Sequence, residues 1–120
     1  CDGTQDITEP SGCLLSPNYP YNYFQETLCA WKIIVEKNKI VSLSVTSITL
    51  EEHPDCIKDS LTFYDGEGDD APVLRRLCGS ATPRTFYSTG NTVFVKFQSN
   101  FNQEFEGFVV TYSTGQPHRK

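Results

Sequence analysis

The 120-residue chain has no methionine, only two histidines, and ten basic residues against fifteen acidic ones, for a formal charge of −5. So few cations argue against non-specific nucleic-acid binding, which needs Lys and Arg clustered on phosphates. No apolar run is long enough to span a bilayer, so this domain is not expected to insert into a membrane. There is neither a signal-peptide pattern nor an initiator Met, so the chain is expected to begin as a mature or excised domain does. No Asn-x-Ser/Thr sequon occurs, and N-glycosylation lends no support to secretion. No cysteine pair is spaced C-x-x-C and no His pair accompanies the cysteines, which argues against structural zinc. G-x-S-x-G, H-E-x-x-H and a phosphate-cradling Gly loop are all missing. His118 lies in the tail, and His53 has no Ser or Cys partner by motif. The chain is therefore not expected to be an enzyme.

The five cysteines, Cys1, Cys13, Cys29, Cys56 and Cys78, are dispersed along a short chain. That usage favours disulfides and an oxidising compartment. Loops of order 25 residues would each contribute roughly 3–4 kcal/mol in the chain-entropy model. Spacing alone leaves the connectivity open, and an odd number leaves one thiol over.

Helical periodicity is nearly absent, and strand periodicity recurs. Trp31, Ile33 and Val35 alternate with Lys32, Ile34 and Glu36, and Val41, Leu43 and Val45 with Ser42, Ser44 and Thr46. Leu61 and Phe63, a short segment Val73 to Leu77, then Val93, Val95 and Phe97, and finally Phe108, Val110 and Tyr112 continue the series. Each run puts apolar side chains on one face, as in antiparallel sheets with one wet side. Asp65-Gly66, Gly90-Asn91 and the segment Pro17-Asn18-Tyr19-Pro20 supply turns. Many short strands in one domain predict an all-β, antiparallel β-sandwich.

Between Glu51 and Asp70, eight of twenty residues are carboxylates and only Lys58 is basic. A run that acidic usually stays solvated. Here Cys56 and the Leu61, Phe63 alternation sit inside it, and carboxylates held near one another by a covalent staple and a strand point to a cation site.

Several ordered segments together resemble the CUB domain, an extracellular β-sandwich module of jelly-roll type. They are Ser16-Pro17-Asn18-Tyr19-Pro20 with Tyr23, Cys29-Ala30-Trp31, Cys56-x-x-Asp59 followed by Phe63-Tyr64-Asp65-Gly66, Leu77-Cys78-Gly79, Ser88-Thr89-Gly90-Asn91, and Phe97-x-Ser99-Asn100 with Gly107-Phe108. Any one is weak, but their common order and spacing are specific. The resemblance runs from Cys1 to Tyr112, which sets the expected domain at residues 1–113 and a linker or tail at 114–120.

The resemblance implies two disulfides, Cys1–Cys29 and Cys56–Cys78, and leaves Cys13 unpaired. Cys13 is then either a buried thiol acting as a small hydrophobe or a bridge to another chain or domain. The first reading is preferred. The resemblance also implies a calcium site with Glu51, Asp59 and Asn100 as ligands and Tyr23 in support. Calcium takes six to eight oxygens, and carboxylate and amide oxygens suit it. Asn100 stands where calcium-binding members carry Asp, so one of three charges is lost and affinity should fall. The alternative is a solvated acidic face around Glu51, Asp55 and Asp59.

Calcium-binding members can receive a Lys or Arg of a partner protein on this acidic cluster, and Tyr64 and His53 are its expected exposed neighbours. The expected function is thus a non-catalytic, calcium-assisted, extracellular protein–protein interaction module of a larger mosaic protein. Two alternatives stand beside it. One is a carbohydrate-binding, spermadhesin-like module using Tyr19, Tyr21, Tyr23 and Phe24. The other is a structural spacer or substrate-directing arm of a protease.

Overall fold

The structure is a computed structural model that describes residues 4–15, 28–49, 60–78, 84–98 and 107–115. Nine strands occupy them: β1 (Thr4–Ile7), β2 (Ser11–Leu15), β3 (Leu28–Ile34), β4 (Ile40–Thr49), β5 (Ser60–Tyr64), β6 (Val73–Leu77), β7 (Arg84–Tyr87), β8 (Thr92–Gln98) and β9 (Gly107–Gly115). No helix occurs among the described residues. The strands form a five-stranded sheet in the order β1-β3-β8-β5-β6 and a four-stranded sheet in the order β2-β9-β4-β7. Pairing is antiparallel throughout except between β1 and β3, which run parallel. The chain leaves the first sheet after β1 and returns with β3 only after β2 has joined the second, so β1 and β3 point the same way.

The predicted alternation decides what is buried. Trp31 and Ile33 on β3, Val41, Leu43 and Val45 on β4, and Val93, Val95 and Phe97 on β8 all turn inward. Phe108, Val110 and Tyr112 on β9 and Leu14 on β2 lie in the same sheet as β4, and together they face β3 and β8 across the core. Burying a side chain of the size of Phe97 or Phe108 is worth roughly 2–3 kcal/mol. Their rings pack at an angle with centroids 5.1 Å apart, and Trp31 meets Phe108 edge-on at 6.0 Å. These T-shaped contacts favour the ring quadrupoles beyond simple area burial. Strand β5 departs from alternation, because Leu61, Thr62, Phe63 and Tyr64 are all buried.

Polar contacts lock one end of the sandwich. The Ser88 N–H donates to the Val41 carbonyl at 3.0 Å, and the Val41 N–H donates back to Ser88 Oγ at 2.8 Å. Ser88 Oγ in turn donates to the Gly90 carbonyl at 2.6 Å. Asn91 and Val35 exchange two bonds, at 2.9 and 3.1 Å. Thr89 donates from its N–H and its hydroxyl to the two oxygens of Asp65, at 3.0 and 2.6 Å. The ends of β3, β5 and β7 and the starts of β4 and β8 thus meet at this turn end. Between β3 and β4 the chain reverses at Asn38, whose φ of 72° is a left-handed conformation that Asn tolerates.

The final strand runs past the expected boundary at residue 113. Thr114 pairs with Val41, and Gly115 with Ile40. Thr114 also donates from its N–H and hydroxyl to the Pro10 carbonyl at 2.8 and 2.9 Å. Residues 114 and 115 therefore belong to the sheet, because β4 begins early enough to hold them there.

Candidate functional site

Glu51, Asp59, Asn100, Tyr23, His53, Cys1 and Cys56 all lie outside the described residues. The strand ends nearest to them are described. Thr49 closes β4 two positions before Glu51, and Ser60 opens β5 immediately after Asp59. Gln98 closes β8 two positions before Asn100, and Leu28 opens β3 after the segment that holds Tyr23. Ser60 and Leu28 are both register partners of Gln98, one on each side of it. Paired strands lie about 4.8 Å apart, so three of the four segments leave from adjacent positions at one end of the five-stranded sheet. Thr49 is paired with Gly107 at the start of β9 in the other sheet. The Phe97–Phe108 contact ties that start to the end of β8. All these ends lie opposite the turn end, so the four segments depart from the same end of the sandwich.

The acidic run is divided by β5. Asp65 follows the last residue of β5, and its carboxylate is taken up by Thr89 at the turn end. Asp69 forms an ion pair with Lys96 at 3.3 Å, with the carboxylate side chain 59% exposed. A pair so exposed contributes little to stability. Glu67 and Asp70 are exposed on the same turn. A five-residue strand is about 17 Å long, so these four carboxylates are held away from the end where β5 begins. The expectation that the acidic run gathers around one cation therefore holds for its first half at most. Among the described residues, no group of three or more His, Cys, Asp or Glu is arranged to hold a metal.

Tyr64 was expected as an exposed neighbour of the site, and the structure corrects this. It is only 6% exposed, and its ring packs against Phe94 at 5.9 Å. It sits at the turn-end terminus of β5, next to Asp65 and the turn that follows. On the outer face of β5, Phe94 of β8 packs on Tyr64 and Arg76 of β6 reaches Thr62, so that face is covered too, and no alternation pattern announces that.

Cys29 and Cys78 are each engaged in a disulfide, and Cys29 lies in the core. Cys13 is free and exposed, not a buried thiol. Its neighbour Leu14 points into the core, so strand geometry turns Cys13 out. Tyr112 faces the same strand from β9. A Cβ added at Gly12 would come within 3.0 Å of its hydroxyl, so the missing side chain at Gly12 makes room for the ring. Burial pushes the Tyr112 hydroxyl pKa above its usual value, and the nearby charges of Glu9 and Cys13 add to the rise.

The locking role of Ser88, Thr89 and Asn91 was not foreseen from composition. The available signal was the Ser88-Thr89-Gly90-Asn91 segment itself, a cluster of small polar residues in a turn.

The CUB domain family model matches residues 1–112. The chain is 37% identical over 110 residues to human Tolloid-like protein 1, covering 92% of this chain and 11% of that protein. It thus spans about a tenth of that relative's length. Its fold superposes on the full extracellular region of zebrafish Gpr126/Adgrg6 with a TM-score of 0.84 and 31% identity, covering 94% of this chain and 15% of that one. The MASP-1 CUB2 domain, crystallised bound to Ca2+, gives a TM-score of 0.81 at 25% identity, covering 94% of this chain and 99% of that one. With a family match across nearly its whole length and two facing sheets to carry it, this chain belongs to the CUB domain family.

Proposed function

We propose that this domain is a non-catalytic, extracellular interaction module of a larger mosaic protein, and that it binds calcium at the end of the sandwich opposite the turn end. Glu51 and Asp59 supply anionic oxygens, Asn100 supplies its amide carbonyl, and Tyr23 orients a carboxylate. When bound, the ion neutralises the carboxylates and fixes their directions. A Lys or Arg of the partner protein then meets a pre-ordered acidic cluster, so less side-chain freedom is lost on binding. His53 is a further candidate contact on this end. Tyr64 takes no part, since it is buried. Bridges Cys1–Cys29 and Cys56–Cys78 staple the segments on either side.

One observation carries the reading: Thr49, Ser60 and Gln98, the described neighbours of Glu51, Asp59 and Asn100, leave from one end of the fold. The donor chemistry supports it, since two carboxylates and an amide oxygen suit a hard cation. So does the family's solved member that is described as bound to Ca2+. An Asn among the ligands predicts a dissociation constant toward the weak end of the roughly 10⁻⁴–10⁻³ M range of extracellular modules.

Thermal melts in calcium and in EDTA test the metal. Calcium at ten times its dissociation constant should add about 1.4 kcal/mol, which raises the melting temperature by about 4–6 °C for a chain of this length. Identical melts in both solutions remove calcium from the proposal. Retention of full partner binding by Glu51→Ala and Asp59→Ala would leave only the spacer role.

A further inference from the structure

The four sheet edges differ in how they are guarded. Among the described residues, β1, β6, β2 and β7 each pair on one side only. An open edge offers free backbone donors and acceptors to any other strand, and proteins usually blunt it with charge or proline. Strand β1 carries Asp6, β6 carries Arg75 and Arg76, and β7 carries Arg84. Strand β2, Ser-Gly-Cys-Leu-Leu, carries neither a charge nor a proline. The outward positions beside it are uncharged as well: Ser11, Cys13 and Leu15 on β2, then Val109, Thr111 and Ser113 on β9. In a chain of net charge −5, this is a face on which two copies can meet without like-charge repulsion.

Cys13 is the middle residue of that five-residue strand, and its thiol is free and exposed. An antiparallel pairing of β2 with β2 of a second copy, centred on Cys13, places each Cys13 opposite its equivalent. Ser11 then faces Leu15 and Gly12 faces Leu14, each pair occurring twice about the two-fold axis. Opposed residues of antiparallel strands have Cα atoms about 4.5–5.5 Å apart, inside the range of about 4.4–6.8 Å that a disulfide spans. Both sulfur atoms lie on the outward face of the joined sheet.

We propose that β2 is a homodimerisation edge, joining two four-stranded sheets into one of eight and cross-linked through Cys13. The occupant is a second copy because an identical strand in this register brings a thiol opposite Cys13 and an uncharged edge opposite an uncharged edge. The oxidant is a small disulfide such as oxidised glutathione. The two Cys13 thiols lose two protons and two electrons and form one S–S bond. The glutathione disulfide breaks, takes up both, and leaves as two thiols. This inference is independent of the calcium reading.

The test incubates the full chain in a glutathione redox buffer and quantifies the Cys13-linked dimer by intact mass and non-reducing peptide mapping. The double variant Ser11→Lys/Leu15→Lys sets lysine against lysine twice across the two-fold axis. Ser11→Lys/Leu15→Glu sets lysine against glutamate at the same places. Positions 11 and 15 are exposed, so both variants keep the core. The wild type should give the linked dimer, the Lys/Lys variant about five-fold less, and the Lys/Glu variant should recover it. Equal yields from all three would mean that the thiols meet without this register and would overturn the proposal. Glutathione capping of Cys13 as the sole product would overturn it too.

Discussion

Ser88 shows how a single hydroxyl can hold a sheet together. It is 4% exposed, accepts from the Val41 N–H and donates to the Gly90 carbonyl. Ser88→Ala leaves a buried amide without its acceptor, a defect that costs about 1–3 kcal/mol. Urea unfolding should show that loss as a lower midpoint at an unchanged slope. Tyr112 gives a pH signature. Burial raises its folded-state pKa above the usual 10, so the folded protein keeps its proton when the unfolded chain has lost it. That contribution is fully present below pH 10 and is lost as pH rises through the folded value. Denaturation between pH 9 and pH 11 should therefore show stability falling in the wild type and falling less in Tyr112→Phe. Cys13 belongs to this scale as well. The sequence reading preferred a buried thiol, and the structure exposes it because Leu14 faces the core and neighbours on a strand face opposite ways.

At the scale of the strand, what the sequence announced depended on how one-sided each element's environment is. Strands β3, β4, β8 and β9 each have one wet face, so their alternation was plain. Strands β1 and β7 gave no usable pattern. Each has four residues and lies at a sheet edge, too short for an alternation to stand out. Strand β5 was visible through Leu61 and Phe63, but the burial of Thr62 and Tyr64 on its other face was not. That burial comes from Phe94 on β8 and Arg76 on β6, which cover Tyr64 and Thr62 and are brought there only by non-local pairing. Phe63 on β5 is one of the points where the two sheets meet. Phe63 is fully buried and meets Phe86 nearly edge-on at 4.9 Å, with the Arg75 guanidinium 5.5 Å from the centre of the Phe86 ring. Phe63→Ala should cost about 3–5 kcal/mol, read from equilibrium unfolding. A loss below about 1 kcal/mol would mean that the two sheets do not depend on this contact.

Across the whole molecule, charge and topology distinguish the two ends of the sandwich. At the turn end, Asp65 is held by Thr89, and Asp69 pairs with Lys96 at the exposed surface. At the other end, the strands that flank Glu51, Asp59 and Asn100 stop together. The sequence showed one continuous acidic run. It could not show that β5 carries the chain from one end to the other in the middle of it. The family pattern was legible because cysteines, turn residues and core aromatics recur at set spacings. The proposed ligands were legible only through that pattern, since Glu51 and Asn100 are about fifty residues apart in the sequence. If Asn100 is the weak ligand, Asn100→Asp restores a third carboxylate and should tighten calcium binding by about an order of magnitude. Calcium titration of the two proteins side by side measures that ratio.

The most direct test is isothermal titration of calcium into the wild type and into the double variant Glu51→Ala/Asp59→Ala. One site per chain, with a dissociation constant of roughly 10⁻⁴–10⁻³ M in the wild type and no binding in the variant, is the predicted result. Equal binding by both proteins, or none by the wild type up to about 10 mM calcium, ten times the weak end of that range, would contradict it.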